Sequence, residues 1–234
     1  MGKLLIWLLA TGKVGKMLTT GGTMLLSMLA YSWVFGWPYA AGFVLLIFVH
    51  EMGHYLAARK RGLAVGAPTF IPFVGAWVKM KQMPLDIETE AFVGIAGPLA
   101  GTVASMACYG MAHQTGSELL LALAYSGCMI NLFNLFPISP LDGGRITAIV
   151  SPKIWLLGVP LLAALFVYRP SPMLIFIAIL AWPQLRAAFS GKHERPPEYE
   201  AVSREARINY AVMYLGLAAF LAVMSYDLHG MIQK

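Results

Sequence analysis

The sequence predicts an all-α polytopic membrane protein. It has about six to seven transmembrane helices and a small membrane-embedded β-hairpin. Three observations carry this. Of 234 residues, 59% are hydrophobic and only 12% charged. Mean hydropathy is +0.68. Soluble domains run nearer half apolar and about a quarter charged, so this chain lacks the material for a solvated surface. The third observation is a succession of apolar stretches, separated by short polar or Gly/Pro-rich breaks.

Residues 1–18 hold the apolar run Leu4 to Ala10, then Lys13 and Lys16, and read as an interfacial helix. Residues 19–36 form a first span, closed by Gly36-Trp37-Pro38. Residues 39–58 form a second, followed at once by Arg59, Lys60 and Arg61, which mark its end as cytoplasmic. Residues 64–84 contain three prolines among β-favouring Phe70, Ile71, Phe73, Val74, Trp77 and Val78, and are too interrupted to span. They predict a hairpin dipping into the membrane, its backbone paired internally or lining a wet cavity. Residues 88–112 form a third span, in which Gly97 and Gly101 allow close helix approach. Residues 119–136 return inward. Further spans follow at 154–168, 172–187 and 208–226, with a polar cytoplasmic loop at 189–207 between the last two. On this layout the N-terminus is cytoplasmic, and Arg169 and Lys234 are the basic residues left outside. Three units are expected: 1–37, an interfacial helix and first span; 38–150, the core; and 151–234, the C-terminal helices.

The net charge of +6 fits basic cytoplasmic loops. No basic run with interleaved aromatics suggests nucleic acid. Cys108 and Cys128 lie in separate apolar segments without CxxC spacing and read as small buried hydrophobes. Nothing in the residues sets an oligomeric state.

The chemistry concentrates in Val49 to Arg59, VHEMGHYLAAR. His50 and His54 are four residues apart, so both imidazoles project from one helical face. Two such nitrogens can hold one zinc ion, and Glu51 can take a proton from metal-bound water. A charged side chain inside an apolar helix costs about 2.5–3.5 kcal/mol on insertion scales, so the cluster demands a function. A catalytic zinc usually takes a third protein ligand. Asp142 is the best candidate, in a break at similar depth after an antiparallel span. Glu88, Glu90, Glu118 and Asp227 fall at interfaces.

HEMGH (residues 50–54), together with Asn134-Leu135-Phe136-Pro137-Ile138-Ser139-Pro140-Leu141-Asp142-Gly143, resembles the site-2 protease family of intramembrane zinc metalloproteases. Phe70-Ile71-Pro72-Phe73 and Gly97-Pro98-Leu99-Ala100-Gly101 are similar to that family's membrane strands and third core helix. The resemblance runs from Gly36 to about Ile149, and the expected form is the compact prokaryotic type without a PDZ domain. It implies one Zn2+ per chain held by His50, His54 and Asp142, with Glu51 as general base and acid. It places Asn134 near the substrate or the oxyanion. It implies hydrolysis of a peptide bond in or near a transmembrane segment of a membrane-protein substrate, close to the cytoplasmic face of a prokaryotic cell membrane. Two other readings use the same polar cluster: a metal-cation transporter and a non-catalytic membrane partner-binding protein. The transporter predicts polar residues along a path across the bilayer, yet the outer halves of the spans are nearly all apolar. The intact Glu51 argues against a merely binding relative.

Overall fold

The computed structural model describes residues 13–72, 75–80, 84, 86–168, 170–190, 196 and 198–233. Most of the expected interfacial helix at 1–18 lies outside them. Helix α1 spans Lys13–Phe35 and α2 spans Trp37–Lys60. Gly36 separates the two at φ 81°, a left-handed backbone that glycine adopts without a Cβ penalty, and Pro38 sits in the first turn of α2. Strands β1 (Val65–Ile71) and β2 (Gly75–Met80) pair antiparallel, with a register irregularity between Val65 and Pro68.

Helix α3 runs Ile87–Thr115. The Asp86 carboxylate accepts from the Thr89 amide at its start, and left-handed Gly116 closes its end. Ser117 caps α4, Glu118–Asn134. A loop then leads to α5, Asp142–Ala148. After a 3-10 turn at Pro152–Ile154 come α6 (Trp155–Tyr168), α7 (Pro172–Ser190) and α8 (Arg204–Ile232), the last capped by Ser203.

Among the described residues, α2, α3 and α8 are long and apolar enough to cross a membrane, while α4, α6 and the apolar part of α7 are shorter. Large apolar side chains face outward along the helices, with Trp33 90%, Val167 82% and Tyr226 81% exposed. Water would penalise such a surface and lipid does not. The chain is an integral membrane protein built on α-helices.

The main core is contributed by α3 to α8, from Ile87, Ala91 and Ile95 through Cys128 and Ile146 to Leu221 and Leu228. A second cluster joins Tyr31, Ala40, Val44, Ile47 and Phe70, and so fastens α1 and β1 to α2. The contact is also polar. Thr20 donates its hydroxyl to the Pro68 carbonyl at 2.6 Å, and the Phe70 amide donates to the Thr23 hydroxyl at 3.2 Å. Thus α1 occupies the edge of β1 that faces away from β2.

Candidate metal centre

Helix α2 brings His50, Glu51 and His54 into the protein interior, where all three are buried, as is Asp142. The 3.6-residue repeat stacks the two imidazoles one turn apart, with ring centroids separated by 4.8 Å. Asp142 is the first residue of α5 and points its carboxylate between them. Its Oδ2 lies 3.1 Å from His50 Nε2 and 3.2 Å from His54 Nε2, and the two Nε2 atoms are 3.1 Å apart.

The other ring nitrogens fix what these three atoms can be. His54 Nδ1 lies 2.7 Å from the Val93 carbonyl oxygen, an acceptor only, so Nδ1 carries the proton. His50 Nδ1 lies 2.8 Å from Asn131 Oδ1. The Asn131 amide nitrogen donates to the Gly127 carbonyl at 2.7 Å, so its oxygen is the atom that faces His50. Both rings therefore donate from Nδ1, and in the neutral form each presents a lone pair at Nε2. Two imidazole Nε2 atoms and a carboxylate oxygen converge in a buried site. With both rings neutral, such a donor set repels itself unless a metal ion or a proton joins it.

The dimensions fit zinc. Ligands at about 2.0–2.1 Å from a tetrahedral ion are about 3.3–3.4 Å from one another, close to the observed triangle. Acting as ligands, His50, His54 and Asp142 would fill three corners and leave the fourth for water or substrate. Among the described residues, His50, His54 and Asp142 are the group of three or more His, Cys, Asp or Glu that can hold a metal.

The close approach of three helices to this triangle depends on glycine. A Cβ on Gly97 would overlap Nε2 and Cε1 of His54, and one on Gly101 would overlap the amide of Asn131. The GxxxG spacing expected for helix packing thus serves the site as well: one glycine faces a candidate ligand, the other its hydrogen-bond partner. Gly53 plays the reciprocal part on α2, against the Ala96 backbone.

Asn134 closes α4 one turn from Asn131, half-buried, and makes no hydrogen bond to His50, His54 or Asp142 among the described residues. Asn131 is the polar partner that motif reasoning passed over. Its signal was present, an amide side chain one turn deeper in an apolar helix, but nothing in the sequence pairs it with His50, 81 positions away. Arg145, three residues after Asp142, forms no ion pair with it among the described residues.

Residues 38–117 match the family model described as Peptidase family M50. The matched segment covers about a third of the chain. It holds His50, Glu51 and His54, whereas Asp142 lies beyond it. The M50 assignment agrees with the site-2 protease resemblance carried by the two motifs. The chain is similar to the zinc metalloprotease MJ0392 of Methanocaldococcus jannaschii, 34% identical over 124 residues, covering 49% of this chain and 36% of that protein. It is also similar to the probable chloroplastic zinc metalloprotease EGY2 of Arabidopsis thaliana, 28% identical over 185 residues, or 56% and 33% of the two chains. A third relative is the putative zinc metalloprotease sll0528 of Synechocystis, 31% identical over 122 residues, or 47% and 32%. The alignments with these curated relatives span about a third of each relative's length.

Proposed function

We propose that this protein is an intramembrane zinc metalloprotease that hydrolyses a peptide bond in or near a transmembrane segment of a membrane-protein substrate. The observation that carries the reading is the convergence of three buried donor atoms at 3.1–3.2 Å beside the buried carboxylate of Glu51. The M50 segment and the metalloprotease names of the relatives support it.

In this reading His50, His54 and Asp142 hold one Zn2+. When bound, zinc supplies Lewis-acid chemistry, lowering the pKa of water to about 7 and polarising a carbonyl. The chain's own residues do the rest. Asn131 and the Val93 carbonyl lock the tautomers and ring orientations of the two histidines. Glu51 takes the proton from the attacking water and returns it to the leaving nitrogen. Asn134, at the mouth of the Asp142 loop, is positioned in this reading to donate to the developing oxyanion, an effect of about 3–4 kcal/mol where it has been measured.

The membrane setting follows the same proposal. Six to seven helices span, the N-terminus is cytoplasmic, and residues 38–150 form the catalytic core near the cytoplasmic face of a prokaryotic cell membrane. Arg59, Lys60 and Arg61, all exposed at the end of α2, mark that face.

A helical substrate hides its carbonyls in its own hydrogen bonds and has to unwind before cleavage. The extended segment then adds to the hairpin as a third strand. Because α1 already engages Pro68 and Phe70 on the outer edge of β1, the strand available for this is β2. In the observed register Ala76 lies opposite Phe70 and Val78 opposite Pro68, so the amides of Ala76 and Val78 point away from β1. Ala76→Pro removes one outward donor without breaking a β1–β2 bond, and is expected to lower cleavage while zinc content stays at the parent value. Normal turnover in that variant would exclude β2 as the docking edge.

Zinc content of the detergent-purified protein, measured beside Asp142→Ala, tests the proposal at its root. About one zinc in the parent and much less in a folded variant is expected. No zinc in the parent, or equal zinc in both, would refute the ligand set. Asn131→Ala should retain all three ligands but weaken zinc affinity about 10- to 100-fold, as loss of a ligand's hydrogen-bond partner typically does. A competition titration with a chelator reads this directly.

A further inference from the structure

Asp142 sits on a helix of seven residues, Asp142–Ala148. Isolated helices shorter than about 12–15 residues are marginal, so the direction of this carboxylate is set by whatever grips the segment. Gly143 and Gly144 pack so tightly on the preceding loop that a Cβ would overlap the Leu135 and Phe136 carbonyls, or the Ser139 amide. Loop and helix therefore move as one piece.

That piece is held by the C-terminal helices. The Tyr214 hydroxyl donates to the Leu135 carbonyl at 2.6 Å, where the loop leaves α4. Seven residues earlier on α8, Arg207 donates to the carbonyls of Ile149 at 2.6 Å and Val150 at 3.2 Å, at the end of α5. Its other terminal nitrogen donates to the Glu200 carbonyl at 3.0 Å. Between these ends, the Trp155 indole donates to the Gly144 carbonyl at 2.7 Å. The bonds to Leu135, Ile149 and Val150 satisfy main-chain oxygens that the short helix and loop leave over. Arg207 also sets a positive charge at the negative end of α5. One helix thus grips both ends of the segment that presents Asp142.

We propose that Arg207 and Tyr214 are positioning residues for Asp142, so that α8 sets the metal affinity of the site without touching it. This rests on the reading of His50, His54 and Asp142 as metal ligands. The carboxylate must meet two nitrogens that are independently fixed by Val93 and Asn131, and a segment released at either end no longer holds it in register.

The test compares the parent, Tyr214→Phe, Arg207→Gln, Arg207→Lys, Asp142→Ala and, on the exposed face of α8, Val212→Ala. Each is purified in detergent and titrated with zinc and with cobalt. Tyr214→Phe and Arg207→Gln are expected to bind both ions about 10-fold more weakly and to change the visible absorption of the cobalt form. Val212→Ala should match the parent, and Arg207→Lys should recover part of the loss. A general loss of stability would not alter the cobalt spectrum of the folded fraction. Tyr214→Phe removes a single oxygen and decides the matter if the Arg207 variants do not fold. Parent-like affinity and spectrum in Tyr214→Phe, with Asp142→Ala unable to bind, would overturn the positioning role alone. A parent that takes up neither ion would overturn the metal-site reading, and the positioning role with it.

Discussion

Glu51→Gln will keep about one zinc per chain and lose peptide-bond hydrolysis. The substitution preserves shape and removes only the capacity to carry a proton. The three converging donor atoms belong to His50, His54 and Asp142, so none of the metal-holding geometry depends on Glu51. A positioned general acid–base group typically contributes about 10²- to 10⁴-fold, and in the proposed mechanism Glu51 serves both halves of the reaction, so the loss should lie at the upper end. Zinc analysis and a cleavage assay on a membrane-embedded substrate measure the two quantities separately. Retained activity in Glu51→Gln would sink the enzymatic assignment and return the cluster to transport or partner binding.

Gly97→Ala is expected to be nearly as damaging to the site, though it changes no polar atom. The added methyl would occupy the space of Nε2 and Cε1 of His54. Neither neighbour can give easily. The His54 ring is tied through Nδ1 to the Val93 carbonyl on the same helix as Gly97, and backbone separation would unpack α2 from α3. Either the ring leaves the triangle and zinc is lost, or the helices part at a cost of about 1–3 kcal/mol. Gly110→Ala on the same helix is the matched control, because nothing lies within 4 Å of the added methyl. Zinc content and thermal midpoint should fall in Gly97→Ala and hold in Gly110→Ala. Parent-level zinc in Gly97→Ala would show that the approach of α3 to His54 is looser than described.

Much of this is legible in the sequence alone. His50 and His54 are four residues apart on a helix, and helical periodicity alone puts them on one face. The break at Gly36-Trp37-Pro38 also carried a local signal, and it is where α1 ends and α2 begins. Asp142 stands out in the sequence as the acidic residue of suitable depth, and the fold brings it to within 3.1–3.2 Å of both rings. The tie between Asn131 and His50 was not legible. A helix carries two asparagines one turn apart, and sequence spacing does not say which one a distant ring will reach.

The sequence by itself determined the apolar character of the chain, the order of its elements and the local pairing of the two histidines. Those properties depend on composition and on contacts within a turn or two. Only the tertiary structure decided which edge of the hairpin α1 covers, and which main-chain oxygens Tyr214, Trp155 and Arg207 satisfy. It also decided that Gly97 and Gly101 abut a candidate ligand and its partner rather than a plain helix face. These are contacts between residues far apart in the chain. Their geometry is set by how whole helices pack, and local periodicity holds no record of it.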